Sequence, residues 1–431
     1  MRRRALFSRT AIALGTAAVL ALTGCGSSGP GSTPGKLQVW SLQDAGLNPV
    51  VKASVDRFSK DGDTKATLST YINDAYKQKI QVAMGSPNAP DVFYNWGGGN
   101  LDQFVKAGQV ESLDAALAKK PEVKDAFLPS VLETANLDGK QYGLPMTGTQ
   151  PVIFFYNKAV FAAAGAQPPT TYDDLLKLVD LFKSKKVTPI ALPGSQGWTE
   201  LMYAEYFLDR IGGPEKWEAI AKSGGAAWQD PAVVQALQYC QDLAKKGAFG
   251  TNFASINYDN AGAGKLLATG KSAMFLMGTW EYPTQLTNNP AFAKKDLGWF
   301  QFPSLPGGKG EPGNLVGNPS NYFSVNASSK NKEAAVDYVV DTVSSDAYID
   351  DLIKSGAVPA TKNAESKLAG KPNAEFNGDV FKMVSTAPSF AQSWDQAVAP
   401  DIAKRLLDNL QKLFLQKITP KAFVDDMAQA K

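Results

Sequence analysis

The chain alternates between short apolar runs and amphipathic stretches with a helical period. LQVWSL, from Leu37, predicts a buried strand, PVVKASVDRFSKDG a helix and KATLSTYI a second strand. The helical pattern DAYKQKIQVAMGS then leads to the apolar strand DVFYNW at Asp91. This alternation is typical of a parallel α/β sheet, so we predict an α/β fold.

Polar and aromatic side chains follow several of these predicted strands. In open α/β sheets, ligands bind beyond the carboxyl ends of the strands. DVFYNW, VTPIALP and SAMFLMG each lead to such residues, which makes them candidates for a binding site. The residues at these three strand ends are Asn95, Trp96, Trp198, Glu200, Trp280 and Glu281.

Two extended segments interrupt the alternation of strands and helices. The first, QYGLPMTGTQPVIFFYNKAVF, begins at Gln141, and the second is GNLVGNPSNYFSVNASS. Helix starts are marked by Thr171 with Asp174 three residues on, by Asp230 before a proline, and by Thr419 before a proline. We therefore expect two crossing segments between blocks of helices and strands.

The N-terminus has the order of a secretory signal. Arginines at 2, 3, 4 and 9 precede an apolar run from Ala11 to Leu22, which is too short to span a membrane. The tetrapeptide LTGC resembles a bacterial lipobox, in which the cysteine, here Cys25, is lipidated. We therefore predict a signal peptide over 1–24, followed by a lipidated cysteine and a flexible Gly/Ser/Pro-rich tether over 25–35.

The signal segment also changes the charge of the protein. The whole chain of 431 residues has a formal net charge of +3, but without the four leader arginines 40 basic residues face 41 acidic ones, a net charge of −1. No Lys/Arg-rich block remains, so we expect no nucleic-acid partner. Without the signal segment the chain has about 400 residues, which is longer than a single hydrophobic core usually supports. The length therefore favours two lobes.

Histidine is absent, which removes the commonest general base and the commonest transition-metal ligand. We therefore expect neither an enzyme nor a metal or cofactor. After Cys25 only Cys240 remains, and it is expected to be a buried small hydrophobe. The Gly-Lys-Ser string at 270–272 is not a phosphate loop, because a predicted helix precedes it and a strand follows it.

Four tryptophans lie in polar or glycine-rich contexts, namely NWGG, GWTE, TWEY and SWDQ. A sugar presents C–H faces and a hydroxyl rim, so its binders combine flat aromatic rings with hydrogen-bonding side chains. Packing in the core is the alternative for each tryptophan. A glycosidase, which would need two carboxylates across a sugar, is a further alternative, with Glu200, Glu281 and Asp395 as its candidates.

Several strings together resemble the extracellular solute-binding proteins of carbohydrate ABC importers, the family that includes maltose-binding protein. They are APDVFYNWGG, the crossing that ends in Tyr-Asn-Lys at 156–158, GKSAMFLMGTW, VNASSKNKEAAVDYV with SGAVPA, and SWDQAVAP with the C-terminal helices. The resemblance implies a two-lobe periplasmic-binding-protein-like α/β fold, with hinge crossings and a ligand cleft between the lobes. By analogy, the N-lobe comprises 36–147 and 321–358, and the C-lobe comprises 148–320 and 359–431.

The resemblance also implies the ligand contacts and the partners. The partners would be an oligosaccharide, ABC permease subunits and, through the lipid, the outer face of the cell membrane, with the protein itself a monomer. The implied contacts are Gln43, Asp44, Asn95, Trp96, Trp198, Glu200, Trp280, Glu281, Asn318, Asn321, Trp394 and Asp395.

The segment after Trp96 departs from the maltose-type pattern, and this difference bears on which sugar is bound. NWGGGNL lacks the charged residues that follow the tryptophan in maltose-type proteins. NWGGG with MGTW is more similar to actinobacterial binders of short β-linked sugars such as xylobiose, cellobiose or chitobiose, and a xylobiose-type ligand is favoured. A non-sugar solute, such as a polyamine or a phosphodiester, remains an alternative.

Overall fold

The computed structural model describes residues 33–260 and 262–430. The predicted signal peptide, Cys25 and residues 25–32 of the predicted tether lie outside the described residues. The last tether residues are joined to the folded body through Asn331. Its Oδ1 accepts from the backbone N–H of Gly35 at 2.9 Å, and its Nδ2 donates to the carbonyl of Thr33 at 3.1 Å.

Short strands of mostly buried residues form the sheets. In chain order they are β1 (Lys36–Leu42), β2 (Lys65–Tyr71), β3 (Val92–Asn95), β4 (Asn136–Leu137), β5 (Lys140–Gln141), β6 (Leu144–Pro145), β7 (Gln150–Asn157), β8 (Thr188–Ala191), β9 (Ser272–Gly278), β10 (Leu297–Phe300), β11 (Leu315–Asn318), β12 (Tyr322–Val325) and β13 (Phe390–Gln392).

Helices make up most of the remaining regular structure. They are α1 (Asn48–Asp61), α2 (Asn73–Ala83), α3 (Gly98–Lys106), α4 (Asp114–Leu117), α5 (Pro121–Ala126), α6 (Pro129–Glu133), α7 (Lys158–Ala164), α8 (Tyr172–Ser184), α9 (Gly197–Gly212), α10 (Pro214–Ser223), α11 (Pro231–Lys245), α12 (Gly262–Ala268), α13 (Glu281–Asn288), α14 (Pro290–Lys295), α15 (Lys332–Thr342), α16 (Asp346–Ser355), α17 (Ala364–Leu368), α18 (Ala374–Thr386), α19 (Trp394–Ala397), α20 (Pro400–Phe414) and α21 (Pro420–Met427).

The predicted helix starts at Thr171, Asp230 and Thr419 are confirmed. Each side chain accepts a backbone N–H from the first turn of its helix, those of Asp174, Ala232 and Ala422 respectively. These bonds satisfy amide groups that a helix leaves free at its N-terminus. The prediction that a helix precedes Gly270 and a strand follows it is also confirmed, by α12 and β9.

Two sheets divide the molecule into two α/β lobes. The N-lobe sheet has the order β2-β1-β3-β12-β6, and the C-lobe sheet has the order β13-β11-β7-β9-β8, with β10 also paired to β7. The predicted parallel arrangement holds for β1, β2 and β3, whereas β12 runs antiparallel to both β3 and β6. In the C-lobe, β7 is antiparallel to β9 while β8 and β9 are parallel. Both sheets are therefore mixed.

The chain passes between the lobes in the two predicted crossing segments. β6 belongs to the N-lobe sheet and β7 to the C-lobe sheet, and likewise β11 pairs in the C-lobe while β12 pairs in the N-lobe. A third connection lies beside them, where Thr149 donates its N–H to the carbonyl of Val358 at 2.9 Å. The lobes are thus joined by adjacent extended strands, which is the arrangement of a hinge.

Each lobe has its own hydrophobic core. Trp40, Phe93 and Tyr338 are among the buried residues of the N-lobe core, and Phe154 and Tyr206 are among those of the C-lobe core.

Helix α16 lies at the junction of the two cores. Its residues Ile349 and Ile353 belong to the C-lobe core, whereas Tyr348 and Leu352 pack with Val50 of the N-lobe. The expected N-lobe boundary at 358 therefore falls just after a helix that both lobes share.

Within the described part of the chain, no helix is long and apolar enough to cross a membrane. Nor do the described residues contain a group of three or more His, Cys, Asp or Glu side chains placed to hold a metal ion. Cys240 is a fully buried free thiol, as its helical context predicts.

Candidate ligand-binding cleft

A cavity of about 1170 Å³, a volume that includes solvent at its mouth, lies between the lobes. Residues from both lobes and from the crossing segments line it. Of the residues proposed from the sequence, those in the lining are Gln43, Asp44, Trp96, Trp198, Trp280, Asn318, Asn321 and Asp395.

The N-lobe wall is formed where β1 and β3 end. Because these strands are parallel neighbours, their carboxyl ends lie at one edge of the sheet. Gln43 and Asp44 follow β1 there, and Trp96 follows β3. The Asp44 carboxylate accepts the backbone N–H groups of Gly46 and Leu47, both at 2.8 Å. Burial nevertheless raises the pKa of Asp44, against the lowering effect of these hydrogen bonds.

Trp96 is only 3% exposed, so most of its ring belongs to the N-lobe core. Its ring packs edge to face against Tyr94 and Tyr76, at centroid distances of 5.1 and 5.9 Å. The ammonium group of Lys77 lies 5.1 Å from the centroid of the Trp96 ring. This position fits a cation–π contact, so Lys77 occupies part of the surface that a sugar could use.

The C-lobe wall carries a pair of half-buried tryptophans. Trp198 and Trp280 follow the parallel neighbours β8 and β9 in the chain, and their rings lie together at a centroid distance of 6.4 Å and an interplanar angle of 52°. Tyr258 packs edge-on against Trp198 at 5.4 Å. A Cβ at Gly278 would lie 1.9 Å from the Trp280 ring, so only glycine permits this position. The result is an angled aromatic surface facing the cavity.

The crossing segments supply hydrogen-bonding groups at the base of the cavity. The Gln150 side-chain oxygen accepts from Asn321 Nδ2 at 2.6 Å and from Asn318 Nδ2 at 3.4 Å. The side-chain oxygens of Asn318 and Asn321 and the hydroxyl of Thr149 are buried, with no hydrogen-bond partner among the described residues. The indole N–H of Trp198 is in the same situation. Buried polar atoms normally have partners, so these are groups that a polar ligand would satisfy.

The lobes touch across the cleft, so the structure represents a closed conformation. Lys77 Nζ donates to Asp395 Oδ2 at 2.7 Å, and Gln392 Nε2 donates to the carbonyl of Trp96 at 2.7 Å. A Cβ at Gly99 would lie 2.5 Å from the carbonyl of Val398 in the C-lobe. The glycine run after Trp96 therefore permits this close approach of the lobes.

A second bridge lies at the start of α9. The amide nitrogen of Gln196 donates to Asp259 Oδ2 at 2.8 Å within the C-lobe and to Asp74 Oδ2 at 3.2 Å in the N-lobe. Its oxygen accepts the backbone N–H of Tyr258 at 2.7 Å. Burial and the nearby Asp74 raise the pKa of Asp259, while the bond from Gln196 opposes this. The amide thus holds two carboxylates from opposite lobes close together.

Four residues proposed from the sequence do not line the cavity, and two of these belong to the local framework. Asn95 donates to Ser324 Oγ at 2.8 Å and accepts the N–H of Gly97 at 3.0 Å, which shapes the turn after β3. Glu281 is buried beneath the aromatic wall and accepts from Gln285 Nε2 at 2.6 Å. Its pKa is raised to about 7, mainly by burial.

The other two lie in the C-lobe interior. Trp394 is 3% exposed and stacks on Trp217, with centroids 4.5 Å apart and planes within 9°. Its polar SWDQ context therefore accompanies core packing, the alternative stated for each tryptophan. Glu200 is fully buried, and neither carboxylate oxygen has a hydrogen-bond partner among the described residues. Burial raises its pKa to about 9, so the carboxyl is protonated at neutral pH.

Sequence reasoning missed several residues of the cleft. They are Asp74, Lys77, Thr149, Gln150, Gln196, Tyr258 and Asp259. Gln150 and Thr149 lie in a crossing segment that was predicted from the sequence, so their position in that segment could have identified them as cleft residues. The others sit on ordinary helix starts, helix faces or loops, and they acquire their role only when the lobes come together.

The cleft, the hinge strands and the two mixed sheets define a two-lobe solute-binding protein. The family described as bacterial extracellular solute-binding protein matches residues 41–350, and the chain belongs to this family.

Two relatives align with the chain over most of their own sequences. It is 30% identical to the diacetylchitobiose-binding protein DasA of Streptomyces coelicolor over 338 residues, 75% of this chain and 73% of that protein. It is 27% identical to the multiple sugar-binding protein of Streptococcus mutans over 67% of this chain and 70% of that one. These relatives are binding proteins rather than enzymes, as expected for this chain.

Solved structures share the fold. A chain from a study of xylan utilisation by the thermophilic bacterium Caldanaerobius polysaccharolyticus superposes with a TM-score of 0.82 at 28% identity. The match covers 91% of this chain and 99% of that chain. A chitin oligosaccharide-binding protein has the same fold, with a TM-score of 0.79.

Proposed function

We propose that the protein is the substrate-binding subunit of an ABC sugar importer, which captures a short, β-linked, xylobiose-like oligosaccharide by closing its two lobes. The bound sugar contacts both lobes and thereby stabilises the closed state. The proposed ligand contacts are the eight cavity residues named above, together with Thr149, Gln150 and Tyr258. The proposed division into lobes is that expected from the sequence.

One observation carries this proposal. The angled pair of Trp198 and Trp280 lies beside buried, unpartnered oxygens of Thr149, Asn318 and Asn321. An aromatic surface fits the C–H face of a sugar ring, and the oxygens fit its hydroxyl rim. A purely apolar solute would leave these oxygens without partners, at a cost of about 1–3 kcal/mol for each.

Two observations support a β-linked ligand, one from the similar proteins and one from the sequence after Trp96. The relative that binds diacetylchitobiose and the structural neighbour from a xylan-utilisation study both concern β-linked sugars. The glycine run after Trp96 departs from the maltose-type pattern, which also favours a ligand other than maltose.

A titration followed by tryptophan fluorescence tests the proposal. Trp198 and Trp280 flank the cavity, so an occupying sugar should change their emission. The panel comprises xylobiose, cellobiose, diacetylchitobiose and maltose, with spermidine and glycerophosphodiesters as non-sugar solutes. We expect saturable binding of a β-linked disaccharide; binding of a non-sugar solute without any sugar response would overturn the proposal.

The glycosidase alternative does not fit this cleft. Glu200, one of its candidate acids, lies outside the cavity lining, and Asp395 is paired with Lys77. Glu281, the third candidate, also lies outside the lining, so the candidate acids do not form a free carboxylate pair across the cavity.

The membrane anchor belongs to the same proposal. Lipidation of Cys25 would hold the protein on the outer face of the cell membrane, next to its permease, as a monomer. Replacement of Cys25 by serine should release the protein into the medium, measured by fractionation and immunoblotting. A variant that stays in the membrane fraction would contradict a lipid on this cysteine.

A further inference from the structure

Acidic side chains outnumber basic ones in the described lining of the cavity. Among the described residues that line it, Asp44, Asp259 and Asp395 are acidic, and Lys77 is the one cation. Asp74 adds a further carboxylate next to Asp259 through their shared bond to Gln196. The cavity therefore offers many acceptors but little positive charge.

The one cation is already engaged by the protein. Lys77 Nζ is 2.7 Å from Asp395 Oδ2, and the same ammonium group lies over the Trp96 ring. The side chain of Asp395 is only 3% exposed, and its other oxygen accepts from Ser393 Oγ at 3.2 Å. A ligand that drew Lys77 away would leave Asp395 buried and unpaired, which is strongly unfavourable.

Asp44 and Asp259, the other two acids of the cavity lining, also offer no positive charge to an anionic ligand. Asp44 belongs to the N-lobe wall and Asp259 to the C-lobe side, so closure places carboxylates on both sides of the ligand. Sugar hydroxyls can donate hydrogen bonds to these groups. A ligand carboxylate would instead be desolvated among like charges, which is strongly unfavourable in an interface that excludes water.

We propose that the cavity selects uncharged sugars and rejects sugars that carry a carboxylate, and that Asp395 determines this selectivity by neutralising Lys77. Asp395 affects the choice of ligand indirectly, through its ion pair with Lys77. The inference rests on the proposed function and narrows its substrate class to neutral oligosaccharides, as opposed to uronate-containing ones.

Calorimetry at pH 7.5 with three disaccharides tests the selectivity. They are xylobiose, glucosyl-β-1,4-xylose and glucuronosyl-β-1,4-xylose, of which the last two differ only in a hydroxymethyl group against a carboxylate. We expect the glucuronosyl sugar to bind at least about 30-fold more weakly than the glucosyl sugar. If it binds within threefold, the inference is overturned while the proposed function stands. If no neutral sugar binds, the proposed function itself fails.

Asp395→Asn tests the role assigned to that residue. The variant frees the charge of Lys77, so the ratio of glucuronosyl to glucosyl affinity should rise at least tenfold, even if both affinities fall. Asp102→Asn is the matched control, because Asp102 pairs with Lys106 on the surface of the N-lobe. An unchanged ratio in Asp395→Asn would contradict the assignment.

A second variant keeps the test independent of folding problems at Asp395. Asp259→Asn removes a different carboxylate of the cavity lining and retains an oxygen acceptor. It should shift the affinity ratio in the same direction by a smaller factor, about threefold. Thermal unfolding curves establish that each variant is folded before titration; a folded Asp259→Asn with the wild-type ratio would count against the charge argument.

Discussion

Lys77 of α2 and Asp395 of α19 join the two lobes across the cleft, with Nζ 2.7 Å from Oδ2. The pair exists only when the lobes are together, because each residue belongs to a different lobe. Asp395 is nearly inaccessible in this state, whereas opening would expose it to water. The ion pair therefore stabilises the closed conformation specifically.

Lys77→Met should shift the protein towards the open conformation. The variant leaves Asp395 buried without its partner unless the cleft opens. Because Lys77 remains 26% exposed, we expect a loss of about 1–3 kcal/mol in closure, which raises the Kd for the sugar roughly 5- to 150-fold. Titration calorimetry gives the Kd, and small-angle X-ray scattering gives the radius of gyration of the sugar-free protein, which should increase.

Lys106→Met is the matched control for that experiment. Lys106 also forms a lysine–aspartate pair in the N-lobe, with Asp102, but its side chain is largely exposed and its partner belongs to the same helix. Exposed pairs contribute little to stability. The Kd of this variant should stay within twofold of the wild type, and an equal loss in both variants would contradict a closing role for Lys77.

Gln196→Glu should oppose closure more strongly than Gln196→Ala. The amide donates to Asp74 and Asp259 at once, so a glutamate would place a third carboxylate between two others. We expect roughly a three- to tenfold higher Kd for the alanine variant and a larger effect for the glutamate variant. Gln238→Ala, which removes an exposed amide bonded to Asp242 on α11, is the control and should have the wild-type Kd.

Trp198→Ala and Trp280→Ala should each remove part of the stacking surface. The expected loss of binding free energy is about 1.5–3 kcal/mol, the scale for burying a large apolar side chain. Trp299→Ala is the control, since its indole donates to Asp379 outside the cavity lining. Its Tm should fall while its sugar Kd remains unchanged. A wild-type Kd for Trp280→Ala would show that this ring only packs.

Glu200→Gln should stabilise the protein at alkaline pH. The pKa of Glu200 is raised to about 9 by burial, from about 4.5 in the unfolded chain. The folded state therefore holds its proton between these pH values while the unfolded state releases it. Stability from this group is fully present below about pH 4.5 and is lost as the pH rises towards 9, by up to about 1.4 kcal/mol per unit.

Unfolding in urea at several pH values measures this effect. At pH 5 the variant and the wild type should have similar free energies of unfolding. At pH 8 the variant should be more stable by at least about 2 kcal/mol, because it has no proton to lose. Glu205 and Glu281 titrate equally in both proteins and cancel in the comparison. A difference that does not depend on pH would contradict a protonated Glu200.

Local sequence signals identified the parts of the cleft that depend on neighbouring residues in the chain. Trp198 and Trp280 follow predicted strands, and those strands are parallel neighbours in the C-lobe sheet. Asn318 and Asn321 lie in a crossing segment that its extended, Gly- and Asn-rich pattern revealed. These features need only secondary structure and the rule that ligands bind at strand ends.

Contacts between the lobes could not be predicted in this way. Lys77 resembles any lysine on an amphipathic helix, and Gln196 resembles any polar residue before a helix. Trp394 has a polar context like that of Trp280, yet its stacking partner Trp217 lies in a distant helix of the same lobe. What distinguishes these residues is the tertiary arrangement, which the local pattern does not encode.

Calorimetric titration of the mature protein with xylobiose, cellobiose, diacetylchitobiose and maltose tests the central claim most directly. We predict binding at a single site for at least one β-linked disaccharide, weakened in Trp280→Ala and preserved in Trp299→Ala. No binding of any sugar, or binding that is equally strong in Trp280→Ala, would contradict a sugar site between the two lobes.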